Sequence, residues 1–156
     1  MTRILLVCMA NVCRSPTALA VARQQVLEQG LSKLLDFDSA GTYVRWPGQR
    51  PDPRAASVLS SQNYKLVKTR SRQISVQDFQ RFDLIVARDD VNLVALKRLC
   101  APQHHGKLRL LLEFAPELGL REVPDPYYGN LAGFERVLAL CEAGLSGLIK
   151  AQTRAP

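Results

Sequence analysis

The sequence has no apolar run long enough to cross a membrane. A transmembrane helix needs about 20 consecutive apolar residues, and no stretch of the 156-residue chain approaches that length. Met1, Thr2 and Arg3 lead directly into a short apolar run without a small-residue cleavage site, which predicts that no signal peptide is present. We therefore expect a cytoplasmic protein that does not associate with membranes.

Cysteine is scarce as well, with four residues at Cys8, Cys13, Cys100 and Cys141. In an intracellular chain of this size, so few thiols indicate catalytic or buried cysteines rather than a disulfide scaffold. Cys100 and Cys141 fall on apolar faces of predicted helices, so we expect them in the core. The two adjacent histidines at 104 and 105 have no thiol or carboxylate partner nearby, and we expect no metal site.

Long basic runs are missing too, although the formal net charge is +7. Nucleic-acid binding is disfavoured because no Lys/Arg tract or interleaved aromatic motif is present. Two interpretations of the charge remain open: it only keeps the protein soluble, or it attracts an anionic substrate. The second is favoured locally by one basic stretch, which contains Arg45, Arg50, Arg54, Lys65, Lys68, Arg70 and Arg72.

The chain shows no repeat or linker, and we predict one domain over residues 1–156. Short apolar runs predict strands at residues 4–7, 37–40, 84–87 and 108–112. Between them lie helical patterns, which predict an α/β three-layer sandwich with a parallel sheet covered by helices on both faces. Ligands of such sheets bind beyond the carboxyl ends of the strands. The turn from Cys8 to Ser15 follows the first strand and should lie at the site.

Four helices are predicted. Ser15 is the expected N-cap of the first, with Pro16 in its first turn and Gly30 after its end. A second covers residues 54–62, and a third opens at Asp89. The last carries an apolar stripe made of Phe134, Val137, Leu138, Cys141, Leu145, Leu148 and Ile149.

The segment after the first strand carries the predicted chemistry. Between Cys8 and Arg14 lies a loop long enough to turn its N–H groups inward as an anion-binding nest. The following helix N-terminus adds partial positive charge, and the planar fork of Arg14 can bind two phosphate oxygens. Cysteines in such surroundings ionise readily. We therefore expect Cys8 to be a thiolate at neutral pH within a phosphate-binding loop.

The remaining loop residues support that site. The Ser15 hydroxyl is placed to bond the Cys8 sulfur, in addition to its capping role. Asn11 tolerates left-handed backbone and is interpreted as an organiser of the loop. The predicted phosphate loop comprises Met9, Ala10, Asn11, Val12, Cys13 and Ser15.

The chain resembles the low-molecular-weight protein tyrosine phosphatases over nearly its whole length. The matching motifs are residues 8–16, 38–42, 51–55, 72–74 and 124–129. The resemblance implies a four-stranded parallel sheet of flavodoxin-like order, a phosphocysteine intermediate, and no cofactor or metal. It also implies phosphotyrosine proteins as partners, a tyrosine kinase being one candidate, and a monomer or weak dimer.

The resemblance assigns further residues. Asp125 becomes the general acid that protonates the leaving phenol, whose pKa is about 10. Trp46 and Tyr127 become aromatic walls of the substrate cleft. Tyr128 is expected beside them, as a phosphorylation site or a plain loop residue. Activity is expected to peak on the acid side and to decline as Asp125 loses its proton.

Two cleft residues carry additional implications from the resemblance. Cys13 is the expected redox partner of Cys8, forming a reversible disulfide that protects the nucleophile; the alternative is a small buried side chain. An apolar Val12 resembles the tyrosine-directed members rather than the arginine-phosphatase branch, which carries Thr there.

Four positions depart from the family pattern. Ala10 replaces a common Gly, Leu19 a Glu, Thr69 a His, and Arg88 a Met. A positive φ at Ala10 would cost about 1–2 kcal/mol, and Thr69 could change how Asn11 is held. None of the four is expected to touch the chemistry.

Two alternative functions remain open. A thioredoxin-coupled arsenate reductase shares this loop, but it requires a further cysteine pair, and residues 80–99 contain no cysteine. A non-catalytic phospho-ligand sensor would keep the same loop without turnover.

Overall fold

A computed structural model describes residues 1–65, 68–126 and 129–154. It contains four parallel strands: β1 (Thr2–Cys8), β2 (Leu35–Gly41), β3 (Leu84–Ala87) and β4 (Leu108–Leu110). Their order across the sheet is β2-β1-β3-β4. This is the flavodoxin-like arrangement, and the predicted fold class is confirmed.

Helices cover both faces of the sheet. They are α1 (Arg14–Glu28), α2 (Pro53–Ser61), α3 (Asp78–Arg81), α4 (Asp90–Leu99) and α5 (Leu131–Thr153). Short 3₁₀ segments span residues 102–107, 111–114 and 116–118. None of the described helices is both long and apolar enough to cross a membrane.

The side chains of the central strands β1 and β3 alternate between two separate apolar cores. On β1, Ile4 and Leu6 face a core shared with α1, α2 and α5. Leu5 and Val7 face the opposite core, which includes residues from α3 and α4. All seven residues of the predicted α5 stripe are buried in the first core. This double burial explains why the strands are apolar without alternation.

The predicted capping role of Ser15 is wrong. Helix α1 begins two residues earlier than predicted, at Arg14, and its N-cap is Cys13, which makes no side-chain capping bond. The Ser15 hydroxyl instead contacts Cys8 and Asn11. The predicted end of this helix is confirmed, because Gly30 follows its C-cap with a φ of 69°.

The fourth strand is shorter than predicted. It ends at Leu110, and residues 111–114 form a 3₁₀ turn that Glu113 caps by accepting from the Leu110 N–H. Leu111 and Leu112 are buried in the turn, and an apolar run alone does not distinguish a buried turn from a strand. The four-residue helix α3 was not predicted, because it is too short to show helical periodicity.

Candidate active site

The candidate site lies where the loops after β1 and β3 diverge, the switch point of this sheet order. A cleft of about 390 Å³ opens there. It is lined by Cys8, Met9, Ala10, Val12, Cys13, Arg14, Tyr43, Val44, Arg45, Trp46, Gln49 and Asp125. Asn11 and Ser15 are buried residues of the same turn. The structure therefore brings the predicted loop residues and Asp125 together.

The Cys8 sulfur is surrounded by hydrogen-bond donors. Its residue is 3 % exposed, and the Ser15 Oγ lies 3.0 Å from its Sγ. The Ser15 backbone N–H donates to the same sulfur at 3.4 Å. Because the Asn11 amide donates to the Ser15 oxygen at 2.8 Å, the hydroxyl proton is available to donate to an ionised Cys8 sulfur. These contacts favour negative charge on sulfur.

Arg14 is fixed at the base of the cleft. It is 4 % exposed, and its Nη1 donates to Asp89 Oδ2 at 2.6 Å and to the Val123 carbonyl at 3.0 Å. Burial lowers the pKa of Arg14, but the hydrogen bond to Asp89 and the nearby Cys8, Asp89 and Asp125 outweigh it, so the pKa lies above its ordinary value. A permanent, well-oriented cation results.

Asp125 faces the same guanidinium from the cleft mouth. Its Oδ2 lies 4.0 Å from Arg14 Nη2, and its side chain is 47 % exposed. The preceding segment is held at Val123, whose N–H donates to the Arg88 carbonyl at 2.8 Å while its carbonyl accepts from Arg14. The carboxyl group therefore sits beside the anion site with access to solvent.

The loop takes its shape from Asn11. Its φ is 60°, a left-handed conformation that Asn tolerates better than most residues. Its amide nitrogen donates to Ser15 and to Ser39 on β2, and its side-chain oxygen accepts from the Arg72 N–H. Ala10 is not among the described residues with positive φ, so the replacement of glycine there causes no backbone strain of that kind.

Arg72 extends this support to β2 and α3. Its guanidinium bonds Asp38 at 3.2 Å and the buried Asp78 at 3.0 Å. Burial raises the pKa of Asp78, but hydrogen bonds from Arg72 and Ser75 reverse the effect, and the net pKa is below its ordinary value. These ion pairs to β2 and α3 fix Arg72, whose backbone N–H in turn holds the Asn11 side chain of the loop.

Gly41 permits the close approach of β2 to the phosphate loop. A Cβ at this position would lie 2.5 Å from the Met9 carbonyl oxygen and 2.5 Å from Val44 Cγ2. The residue pairs with Cys8 in the sheet, and the neighbouring Thr42 N–H donates to the Cys8 carbonyl. Backbone would therefore have to move to accommodate any side chain here.

We expect Gly41→Ala to displace the phosphate loop and lower kcat/KM for an aryl phosphate by about 10²-fold, since a shift of about 1 Å in a reacting group has that effect. Steady-state kinetics and inhibition by inorganic phosphate measure it. Gly106→Ala is the matched control, because an added Cβ there meets no atom within 4 Å. Unchanged kinetics for Gly41→Ala would show that the contact can relax.

Cys13 is a buried thiol close to the Asp52 carboxylate. Burial first, and then the negative charge of Asp52, raise the pKa of Cys13 to about 12. Cys8 and Cys13 are both free thiols. The thiol of Cys13 therefore remains protonated near neutral pH, and its predicted redox role stays a prediction.

Trp46 lines the cleft mouth and is 63 % exposed. The guanidinium of Arg45 stacks on its ring, 5.5 Å from the centroid. Tyr43 also lines the cleft and was not predicted. The two other predicted aromatic residues, Tyr127 and Tyr128, lie outside the described residues. An aromatic surface therefore borders the anion site on at least one side.

Residues 3–155 match the family described as low molecular weight phosphotyrosine protein phosphatase. The chain belongs to this family. A low molecular weight protein-tyrosine-phosphatase of Streptomyces coelicolor is 43 % identical over 152 residues, covering 96 % of this chain and 92 % of that protein. The phosphotyrosine protein phosphatase of Homo sapiens is 37 % identical over 140 residues, covering 88 % and 87 % of the two chains.

Solved structures agree. A protein tyrosine phosphatase from Entamoeba histolytica with Hepes in the active site superimposes with a TM-score of 0.92 at 36 % identity, covering 97 % of each chain. Wzb of Vibrio vulnificus in complex with benzylphosphonate gives a TM-score of 0.83 at 25 % identity, covering 96 % of this chain and 98 % of that one. The chain is a phosphatase enzyme of this family.

Several residues of this phosphatase site were not predicted to contribute. Asp89 was predicted to open α4, and it does cap that helix through the Asn92 N–H, but it also holds Arg14. Ser39 and Asp52 contact loop residues from elsewhere in the chain. Sequence carries no signal for such contacts, since the partners lie on different elements. Among the described residues, no group of three or more His, Cys, Asp or Glu could hold a metal ion.

Proposed function

We propose that this phosphatase hydrolyses phosphotyrosine through a phosphocysteine intermediate, with Cys8 as nucleophile, Arg14 as phosphate clamp and Asp125 as general acid and base. The observation that carries the proposal is that all three line one cleft. The Cys8 sulfur is bonded by Ser15, and the guanidinium lies between the partly buried carboxylate of Asp89 and the more exposed carboxylate of Asp125.

Phosphate binding follows from the charges. The N-terminus of α1 and the Arg14 guanidinium both attract a dianion. Asp89 and Val123 orient the guanidinium before the substrate arrives, so little reorganisation is needed. The loop residues from Met9 to Cys13 surround the bound group.

In the first step, the Cys8 thiolate attacks phosphorus and the bond between phosphorus and the phenol oxygen breaks. Asp125 gives its proton to the departing oxygen, so the leaving group is a neutral phenol. A positioned proton donor contributes typically about 10²–10⁴-fold. The products of this step are a phosphocysteine and an Asp125 carboxylate.

In the second step, Asp125 takes a proton from water, and the water oxygen attacks phosphorus. The bond between sulfur and phosphorus breaks, releasing inorganic phosphate and regenerating the thiolate. The Ser15 hydroxyl and N–H, which already contact the sulfur, stabilise the leaving sulfur anion. The exposed position of Asp125 gives water access to this carboxylate.

The cleft suits an aryl phosphate. Trp46, Tyr43 and Val12 line it and offer flat or apolar surface to a phenyl ring. Benzylphosphonate, the ligand of the Wzb complex, is likewise a ring carrying a tetrahedral phosphorus group. Phosphoserine is too short to place its phosphate at the base while gaining these contacts. Tyr127 and Tyr128 complete the proposed aromatic cleft.

The natural substrates are proposed to be phosphotyrosine proteins of the cytoplasm, including a tyrosine kinase. The phosphatase itself is proposed to be a monomer or weak dimer. A neighbouring cavity of about 450 Å³ carries Arg50, Lys68 and Arg70 on its lining. These cations suit acidic residues beside the phosphotyrosine.

The predicted disulfide between Cys8 and Cys13 would protect the nucleophile during oxidative stress.

Acid quenching during turnover tests the mechanism. With a phosphotyrosine peptide, mass spectrometry should find phosphate on the peptide that contains Cys8, and rates should exceed those for phosphoserine and phosphoarginine peptides. Absence of the phosphopeptide despite turnover would contradict the mechanism. Faster phosphoarginine hydrolysis would contradict the substrate, and arsenate-dependent thioredoxin oxidation would favour a reductase.

A further inference from the structure

Arg88 is a fully buried arginine outside the proposed catalytic set. It follows β3 directly and is 0 % exposed. None of its three guanidinium nitrogens has a hydrogen-bond partner among the residues that the structure describes. A buried charge without a partner is strongly unfavourable, so its presence requires an explanation beyond filling space.

The register of the sheet places Arg88 next to Cys8. Strands β1 and β3 are adjacent and parallel, and Val7 pairs with Ala87. The residues that follow this pair are Cys8, the last residue of β1, and Arg88, the first residue after β3. Neighbouring strands are roughly 4.8 Å apart, so the two backbones leave the sheet side by side.

The two side chains also share a face of the sheet. Leu6 and Val86, two residues earlier on each strand, both face the core formed with α1 and α5. Since side chains alternate along a strand, Cys8 points toward that side, and Arg88 interacts electrostatically with Cys141 of the same core. Cys141 of α5 lies in this core, so its thiol is on the same side of the sheet as Cys8 and Arg88 and interacts with both.

Few groups near Arg88 can balance its charge. Cys141, Cys8 and Asp89 interact with it favourably, and Arg14 unfavourably. Asp89 is already hydrogen-bonded to Arg14 at 2.6 Å. Burial raises the pKa of Cys141 to about 11, so this thiol is neutral. The Cys8 sulfur is therefore the group whose ionisation would balance Arg88.

We propose that Arg88 is a positioning residue that holds Cys8 as a thiolate from beneath the phosphate loop, through its charge rather than through a contact with substrate. The inference rests on Cys8 being the nucleophile. Burial lowers the pKa of Arg88, but an arginine starts high enough to keep its proton in proteins. The buried charge lowers the stability of the folded protein and raises the reactivity of Cys8, a trade-off common at functional sites.

Other charged or titratable groups also lie near Cys8. Arg14 on α1 stays charged, while Cys13 and Cys141 have pKa values of about 12 and 11 and stay protonated below pH 9. Asp125 interacts with Arg14 and Cys13. Wild-type and variant proteins share all of these groups, so a difference between their pH profiles reports on Arg88.

The test is the rate of Cys8 alkylation by iodoacetamide from pH 4 to 9, followed by mass spectrometry of the peptide. Arg88→Met keeps an unbranched, apolar stem and removes the charge. We expect its midpoint to rise by about one pH unit, which slows alkylation about tenfold below the midpoint. Its Tm should increase, because a buried unpaired charge is gone. Arg88→Gln provides a second neutral variant.

Arg98→Met is the matched control, since it removes one exposed arginine and the same net charge. The inference is overturned if both Arg88 variants keep the wild-type midpoint, or if Arg98→Met shifts it equally. Failure of the proposed function would look different: wild-type Cys8 would then show no acid-side midpoint at all. Cys8→Ser identifies the labelled site.

Discussion

Cys8→Ser is expected to abolish turnover of aryl phosphates, with a loss of about 10⁴-fold or more, as for other nucleophile replacements. A serine hydroxyl in this position remains neutral, since an alcohol is far less acidic than a thiol and Ser15, which contacts residue 8, is not a base. Phosphate binding should persist, because Arg14 and the loop are unchanged. The measurements are kcat for an aryl phosphate and the dissociation constant of inorganic phosphate. A direct binding assay gives the dissociation constant for the inactive variant.

Cys100→Ser is the matched control for a thiol outside the cleft. Its Sγ donates to the Ala101 carbonyl at 3.5 Å, a contact that a hydroxyl can also make. We expect near-normal kcat for this variant. Turnover by Cys8→Ser above about a thousandth of the wild-type rate, after removal of contaminating phosphatase, would exclude Cys8 as nucleophile.

Asp125→Asn is expected to lower kcat for phosphotyrosine by about 10²–10⁴-fold, because the phenol must then leave without a proton. The loss should be smaller for an aryl phosphate with a strongly acidic phenol, which needs less protonation. The wild-type decline in rate on the alkaline side should disappear in the variant. Rates against pH for both substrates measure these effects.

Asp90→Asn serves as the control for this substitution, since Asp90 pairs with Arg121 at 2.7 Å on the surface, away from the cleft lining. Its kinetics should match the wild type. An Asp125→Asn enzyme with an unchanged leaving-group dependence would show that another group supplies the proton, and an abolished phosphate affinity would show that the carboxyl instead shapes the anion site.

Local chemistry made part of the site predictable. Cys8 and Arg14 could be assigned because a strand end, a loop and a helix start follow one another within one segment. Asp125 lies over a hundred residues away, and only the family resemblance assigned it. The distance of 4.0 Å between Arg14 and Asp125 depends on the order of the strands, which no local pattern encodes.

The capping prediction for Ser15 failed for an identifiable physical reason. Ser15 has the right chemistry for an N-cap, but the sulfur of Cys8 and the amide of Asn11 compete for the same hydroxyl. The expectation that Arg88 leaves the chemistry untouched stays a prediction, which the alkylation experiment tests. The burial of Arg88 follows from the neighbouring strand and α5, which cover it together.

Val123 couples the proposed anion clamp to the proposed proton donor through its backbone. The Val123 carbonyl accepts from Arg14, its N–H donates to the carbonyl of Arg88 just after β3, and Asp125 follows two residues later. Any movement of the segment from Val123 to Asp125 therefore changes the positions of the Arg14 guanidinium and the Asp125 carboxyl group together. Evolution can therefore tune both steps of turnover by substitutions beside residue 123, without replacing a single reacting group.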